Sequence, residues 1–211
     1  MSTSVTDVTG AAPGVRLRER QRSETRLSIL DVALRLFEAH GYEDTTVEDI
    51  AHEVGISSRT FFRYFESKTA LLFDGHSEDK QEHSAFVIQA LVSRPPTETI
   101  AEALAAVLRE QLGTMFDEHD IKLRQLRIVL ADPTLRLLAQ DGFHEHRPDL
   151  ERGFATRLGV QPDDLAPRVL GAAFTEAIWI ILERWVASGA EASRLPGLID
   201  EAFATITNSL G

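Results

Sequence analysis

Residues 45–68 read TTVEDIAHEVGISSRTFFRYFESK, and this stretch contains the start and stop signals of two short helices joined by a tight turn. Thr45 or Thr46 can cap the first helix, and an acid three positions after either threonine completes a capping box. Gly55 can adopt the left-handed conformation that ends this helix. The stretch therefore predicts a helix-turn-helix.

The second helix is expected to begin at Ser57 or Ser58, either of which can cap it, and to extend to about Phe65. Phe61 and Phe65 are four residues apart, so they share the inner face of the helix. The residues left on other faces are Ser58, Arg59, Phe62 and Arg63. Arginines can bind guanine edges and hydroxyls can bind phosphates, so this face suits a DNA major groove. The alternative is a surface helix of any small bundle.

The motif AxxLFxxxGYxxTTVxDIAxxVGIS, found from Ala33 to Ser57, is followed by Thr60-Phe61-Phe62, Phe65, Lys68 and Leu71-Leu72. Over residues 26–73 this arrangement resembles the TetR family of transcriptional regulators. The resemblance implies that the DNA-contacting residues are Thr46, Ser58, Arg59, Thr60, Phe62, Arg63, Tyr64 and Lys68. Phe62 occupies a position where the family usually has a tyrosine whose hydroxyl meets a phosphate. Here the ring is expected to pack on sugar or on a thymine methyl group.

The distribution of charge separates one end of the chain from the rest. The formal net charge is −11, which excludes a protein coated in basic residues. Five arginines and two glutamates lie in residues 16–26, so this segment carries +3 and the remainder carries −14. We therefore expect residues 1–22 to form a flexible basic arm that orders on DNA. Its DNA-contacting residues would be Arg16, Arg18, Arg20 and Arg22.

Helical periodicity continues through the remainder of the chain, and no strand pattern of any length competes with it. The predicted fold class is all-α, with an N-terminal three-helix bundle containing the helix-turn-helix, joined by a long helix from Lys68 to about Ser93 to a larger C-terminal body. The predicted domains are the arm 1–22, a DNA-binding domain 23–75 with the helix-turn-helix at about 45–65, and a ligand-binding and dimerisation domain 76–211. The helices expected in the body are 97–116, 121–131, 133–143, 149–158, 163–187 and 195–210.

The predicted helix 163–187 is apolar on two sides, and a helix apolar on two sides is expected to be buried on two sides. The family resemblance implies that this helix and the last one, 195–210, build a four-helix interface with their symmetry mates. The expected oligomer is therefore a homodimer.

Aromatic and polar residues of the body are candidates for a ligand pocket. They are Met115, Phe116, Phe143, Phe174, Glu176 and Trp179. Residues at helical spacing also suit plain core, so both interpretations stay open for the apolar members. Glu176 is flanked by apolar residues; it could anchor a ligand, or pair with a neighbour such as Arg184, or face solvent.

Several kinds of chemistry are excluded or disfavoured. The chain has no cysteine, which excludes disulfides and thiolate sites. Ser77 to Lys80 fits the S-x-x-K nucleophile motif, but the partner motifs S-D-N and K-T-G are missing. His144 and His146 could share a metal ion only in an extended or loop segment. We therefore expect no catalytic residues, no metal and no cofactor.

Targeting signals are also lacking in the sequence. The first residues do not contain a positive leader followed by an apolar block, and the longest apolar run, 177–182, is far too short to span a bilayer. The expected location is the cytoplasm. The expected function is a ligand-responsive repressor, released from a palindromic double-stranded operator by a small, largely apolar effector. The alternatives are a helical enzyme or a protein-binding adaptor with an adventitious helix-turn-helix.

Overall fold

The computed structural model describes the backbone of residues 13–73, 87–117 and 120–209, with side chains for residues 17, 18, 20–73, 87–113, 121–142 and 147–205. The chain divides into two compact units, Met1–Leu71 and Leu72–Gly211. Every regular element within the described residues is a helix, as the sequence predicts.

The first unit contains helix α1 (Pro13–His40), helix α2 (Val47–Val54) and helix α3 (Ser58–Phe61), and the short helix α4 (Ala70–Phe73) begins at its end. The expectation of a flexible arm over residues 1–22 is wrong from Pro13 onward, because α1 begins there. Proline is well suited to a first helical position, and the leucine, arginine, glutamate and glutamine residues that follow favour helix. Residues 1–12 lie outside the described residues.

The core of the first unit draws side chains from each of its helices. Its buried members include Ile29, Ala33, Leu34, Phe37, Ile50, Ala51, Phe61, Phe65 and Leu71. On α1 these residues follow the spacing of one helical face, which is why a single helix can cover the other two.

The ends of α2 follow the predicted signals. Thr46 is the N-cap, and its side chain and Asp49 form the two reciprocal hydrogen bonds of a capping box. Gly55 has φ 78°, a left-handed conformation that a side chain would disfavour. The amide of Ile56 then donates to the carbonyl of Ala51 at 2.9 Å, which closes the turn.

The second helix of the motif is shorter than predicted. The side chain of Ser57 caps α3 by accepting from the amide of Thr60 at 3.1 Å, but regular helix ends at Phe61 instead of Phe65. Beyond it the chain continues in tighter turns, with the amide of Tyr64 donating to the carbonyl of Phe61 at 2.8 Å. Such i to i+3 bonds commonly tighten a helix end.

The second unit is described from helical residues 87–93 (α5) onward. It continues with α6 (Ile100–Asp117), α7 (Asp120–Ala131), α8 (Pro133–Leu158), α9 (Leu165–Ala187), a 3₁₀ turn (Ala192–Arg194) and α10 (Leu195–Ser209). Within the range of the helix predicted from Lys68 to Ser93, the structure describes two helical stretches, α4 and α5, and their continuity stays a prediction. Residues 74–86, which include Gly75 and the Ser77–Lys80 motif, lie outside the described residues.

The predicted break near Pro148 is wrong, because α8 continues through this residue. The sequence predicts two helices on either side of this proline, whereas one helix of 26 residues passes through it. A proline inside a helix costs one hydrogen bond and some strain. Packing of α8 against α9 offsets that cost. The two helices approach closely at Gly171, where an added Cβ would lie 3.0 Å from Glu151.

Helix α9 is the centre of the second core. Phe174, Ile181 and Trp185 are buried in a cluster that also contains side chains of α6, α8 and α10. Among the described residues, α9 is also the one helix long and apolar enough to cross a bilayer by length and composition. Ten of its residues are buried against its own helical neighbours, so the core of this unit accounts for much of its apolar character.

The sequence predicts that α9 is buried on two sides, but its second apolar side is exposed in the single chain. Leu165, Val169 and Ile180 are exposed in the single chain. One apolar side of the helix therefore belongs to the core, and the other is open.

The guanidinium group of Arg157 stabilises the connection between α5 and α6. Arg157, near the end of α8, donates to the carbonyls of Leu91, Arg94, Pro95 and Glu98 at 2.9–3.1 Å. One turn earlier, a Cβ on Gly153 would lie 3.1 Å from Ile88. The C-terminal part of α8 is thus closely fitted to α5.

Candidate nucleic-acid interface

Residues 58–65, called the recognition segment below, have a buried inner face and an exposed outer face, as the sequence predicts. Phe61 and Phe65 are buried, with ring centroids 5.8 Å apart. Between them, Phe62 is 53% exposed, and Arg59 is also exposed. Arg59 makes no ion pair with any residue that the structure describes, so its guanidinium is available to an outside partner.

The N-terminus of α2 presents Thr46 at the surface, beside a carboxylate. The hydroxyl and the amide of Thr46 both donate to Asp49, the latter at 2.9 Å. The side-chain hydrogen bond from Thr46, followed by the backbone bond, lowers the pKa of Asp49 below its ordinary value. Asp49 is therefore ionised at neutral pH and holds the cap in place. Contact of Thr46 with DNA stays a prediction.

Lys68 is engaged within the protein. Its ammonium group donates to the carbonyls of Tyr42 at 2.6 Å and Thr45 at 2.8 Å, and lies 4.1 Å from the centre of the Tyr42 ring. The hydroxyl of Tyr42 is 2.8 Å from the hydroxyl of Thr69. Lys68 thus stabilises the loop that precedes the cap residue Thr46 by hydrogen bonds to its carbonyls. Its predicted contact with DNA stays a prediction.

An open groove of about 710 Å³ runs between the first half of α1 and the turn after α3. Its lining residues are Arg18, Gln21, Arg22, Glu24, Thr25, Arg63 and Tyr64. Three of the predicted DNA-contacting arginines therefore meet in one concave surface. Arg20 is on the same helix but pairs with Glu24 at 2.9 Å, and the side chain of Arg16 lies outside the described residues.

Arg26 belongs to the basic cluster in the sequence, and the structure gives it an internal position. Its guanidinium donates to the carbonyl of Tyr64 and lies 4.2 Å from the centre of the Phe65 ring. A signal for this existed in the sequence, because Arg26 precedes Ile29, Ala33 and Phe37 at helical spacing on the inner face of α1.

The remaining predicted contact residues lie on the same segment. Thr60 is half-buried, and its hydroxyl is 2.9 Å from that of Ser57 within the cap of α3. Ser58 and Tyr64 are half-buried, and Arg63 is exposed beside the ring of Tyr64. These positions permit contact with DNA and do not test it.

Two family profiles match the chain. Residues 29–74 match the profile described as bacterial regulatory proteins, tetR family. Residues 95–211, more than half of the chain, match the profile of the MftR C-terminal domain. The chain belongs to the TetR family. As a member of this family it is a DNA-binding transcriptional regulator and not an enzyme.

Named relatives within the TetR family cover most of the chain. The HTH-type transcriptional regulator TcmR of Streptomyces glaucescens is 33% identical over 82% of this chain and 77% of its own. MftR of Mycobacterium tuberculosis, named as a mycofactocin biosynthesis transcriptional regulator, is 30% identical over 79% of this chain and 82% of its own.

A solved structure confirms the fold. SmeT is the repressor of the Stenotrophomonas maltophilia multidrug efflux pump SmeDEF. Its structure in complex with triclosan matches this chain with a TM-score of 0.61. It is 20% identical, and the match covers 86% of this chain and 91% of that one. The predicted TetR architecture, with an N-terminal helix-turn-helix and a larger helical body, is therefore confirmed.

In the body of this TetR regulator, the candidate ligand residues separate into three groups. Phe174 and Trp179 are buried, and the Phe174 ring packs between those of Phe154 and Phe203, with centroids 6.3 and 6.4 Å away. Glu176 is exposed in the single chain, and its contact with a ligand stays a prediction. It lies on the open side of α9. The side chains of Met115, Phe116 and Phe143 lie outside the described residues.

A small cavity of about 200 Å³ lies elsewhere in the body. It is lined by Arg109, Leu112, Gly113, Trp185, Ala192, Leu195, Pro196 and Ile199. Arg109 pairs with Asp200 at its edge, and the indole nitrogen of Trp185 donates to the carbonyl of Glu191 at 2.8 Å. Of the candidate ligand residues whose side chains the structure describes, which are Phe174, Glu176 and Trp179, none lines it. No local pattern in the sequence indicates this cavity, because separate elements form it.

Metal-binding chemistry receives no support from the described part of the chain. No group of three or more histidine, aspartate or glutamate side chains lies close enough to hold an ion there. The backbone of residues 144–146 is helical, whereas a metal ion shared by His144 and His146 would need an extended or loop segment.

The contacts of Lys68 generate a stability prediction. Replacing Lys68 by Met should lower the free energy of unfolding by about 1–3 kcal/mol, because it removes charge-assisted hydrogen bonds to two loop carbonyls. Chemical denaturation followed by circular dichroism measures this. Lys122→Met is the matched control on a half-buried lysine of α7. Equal stability of the Lys68 variant and the wild type would contradict the role of Lys68 in the loop.

Proposed function

We propose that this chain is a homodimeric, ligand-responsive repressor that binds a palindromic operator and is released from it by a small, largely apolar effector. The observation that carries the DNA-binding part is the exposed face of the recognition segment. Phe61 and Phe65 anchor it from within, and Arg59 and Phe62 project outward. A rigid segment that presents an exposed arginine suits the edge of a base pair.

The proposed division of labour among the contact residues follows their chemistry. Arg59 contacts a guanine edge, and the exposed Phe62 ring contacts sugar or a thymine methyl group. Small hydroxyl and backbone donors at the N-termini of α2 and α3 contact phosphates. These are Thr46, Ser58 and Thr60, with Tyr64 beside them. Lys68 contributes by holding the loop before Thr46, with direct phosphate contact as a further role.

The proposed homodimer interface uses the open face of α9. Leu165, Val169 and Ile180 are exposed there at helical spacing, and Leu165 is 79% exposed. Exposed apolar rows on a long helix are typical of protein interfaces. Helix α10 lies beside α9, with Arg184 3.3 Å from Glu201. We therefore propose that residues 163–187 and 195–210 form the interface with a second copy, as the family resemblance implies.

The proposed domain boundaries receive support from two directions. The boundary between the two compact units in the chain lies between Leu71 and Leu72. The first family profile ends at residue 74, and the second begins at residue 95. A DNA-binding domain of about 23–75 and an effector and dimerisation domain of 76–211 agree with both. Residues 13–22 belong to α1 and extend the first domain.

The effector site is proposed in the second unit. Support comes from its aromatic core, its cavity beside Trp185 and its fold neighbour SmeT, which was solved with triclosan. A cavity of 200 Å³ is smaller than the roughly 300–1,000 Å³ of sites for drug-sized ligands, so binding would need a small effector or some rearrangement. Phe174 and Trp179 stay candidates for contact. We propose the cytoplasm as the location of the regulator.

Loss of base reading is the first test of the proposed function. Replacing Arg59 by Ala should weaken binding to the operator by about 5–150-fold, since a base contact is worth about 1–3 kcal/mol. Fluorescence anisotropy on DNA flanking the gene, against a shuffled duplex of equal length, measures it. The affinity for the shuffled duplex should change little. Full operator affinity in the variant would refute the assignment of Arg59, and no preference in the wild type would refute the proposed function.

The dimer interface has its own test. Ile180→Glu should convert the dimer to a monomer, because it places a charge in an apolar interface. Leu27→Glu is the matched control, because Leu27 on α1 is also 54% exposed in the chain but lies outside the proposed interface. Light scattering after size exclusion gives the masses. A dimeric Ile180→Glu variant would place the interface elsewhere.

Coupling between effector and DNA is tested by reciprocity. An effector that releases the operator should weaken DNA binding by about 5–150-fold, and operator DNA should weaken effector binding by the same factor. Triclosan is the first probe, and the fluorescence of Trp179 and Trp185 reports its binding. A ligand that binds equally well with and without operator is not an inducer.

A further inference from the structure

The groove between α1 and the turn after α3 has an excess of positive charge. Among the residues whose side chains the structure describes, Arg18, Arg22 and Arg63 line it against one carboxylate, Glu24, so these residues carry a formal charge of +2. Glu24 is already paired with Arg20, which lies on the same helix but does not line the groove. In a chain with 33 acids and 22 basic residues, such a positive surface is suited to an anion that comes from outside.

The groove combines a part of the chain inside the family profile with a part outside it. Arg63 and Tyr64 lie within the matched residues 29–74, whereas Arg18 and Arg22 precede them. Because α1 begins at Pro13, these two arginines stand on a continuous helix, four residues apart and on the same face. The extension of α1 therefore supplies one wall of the groove.

Arg26 holds the two walls together. Its guanidinium joins α1 to the carbonyl of Tyr64 and to the ring of Phe65. The backbone on both sides of the groove is consequently in place before any ligand binds, so an anion has to order only the arginine side chains.

We propose that this groove binds a backbone phosphate of duplex DNA, and that Arg63 is a phosphate contact that acts with Arg18 and Arg22 instead of reading a base. This inference rests on the proposed DNA-binding function. Guanidinium groups pair with phosphate oxygens through bidentate, charge-assisted hydrogen bonds. Direct readout of sequence is left to Arg59, which does not line the groove. The groove sets the position of the first unit on the duplex, and Arg59 sets its sequence preference.

The experiment compares single alanine variants of the full-length protein at Arg18, Arg22 and Arg63 on two duplexes of equal length. One duplex is the DNA flanking the gene, and the other has an arbitrary sequence. Anisotropy titrations over a range of salt concentrations give the affinity and its salt dependence. Arg35→Ala is the matched control, because it removes the same charge from the same helix, outside the groove and outside the predicted DNA contacts. Arg59→Ala is the contrast for base reading.

Each groove variant should weaken binding to both duplexes by a similar factor, and replacing all three arginines should lower the salt slope by about 0.9 for each phosphate that the protein no longer neutralises. Arg35→Ala should leave the slope unchanged. An equal effect of Arg35→Ala would show a general effect of charge and would refute the proposed phosphate site in the groove. Weaker binding confined to the flanking DNA in Arg63→Ala would make Arg63 a base reader. A wild type that binds neither duplex would refute the proposed function itself.

Discussion

Burial of two phenylalanines four residues apart is the constraint on which the DNA-facing surface depends. Phe61 and Phe65 have almost no exposure, and Arg59, Phe62 and Arg63 on the other faces are exposed. Helix α3 is only one turn long, and a single turn is not stable by itself. Its position comes from the buried rings, the left-handed turn at Gly55 and the contact of Arg26 with Phe65.

The basic residues around this segment fall into two groups, those that bind within the first unit and those that are exposed. Arg26 and Lys68 use their charges within the first unit, on backbone carbonyls and aromatic rings. Arg18, Arg22 and Arg63 line an open groove, and Arg59 is exposed on α3. A count of net charge treats all of them alike. Only their partners distinguish a residue that builds the surface from one that is available to DNA.

In the second unit, α9 has two apolar sides with different surroundings. One side forms the core with Phe154, Leu195 and Phe203 of its neighbours, and the other side is open. Periodicity detected both sides, because apolar residues recur on each. It could not separate core from pocket for Phe174 and Trp179, since both environments favour the same side chains. It also placed Glu176 among apolar residues, although that side chain faces outward.

The sequence by itself determined the helix-turn-helix, the helical class of the body and the family, because caps, turn glycines and apolar spacing are local signals. The all-α architecture and the end of α2 at Gly55 needed no distant contact. The sequence limited the two N-caps to Thr45 or Thr46 and to Ser57 or Ser58, and the structure selects Thr46 and Ser57. Only the tertiary structure decided that α1 starts at Pro13 and that α8 passes through Pro148. Likewise, the groove and the cavity beside Trp185 join residues far apart in the chain. Such features depend on which surfaces meet after folding, and no local pattern records that.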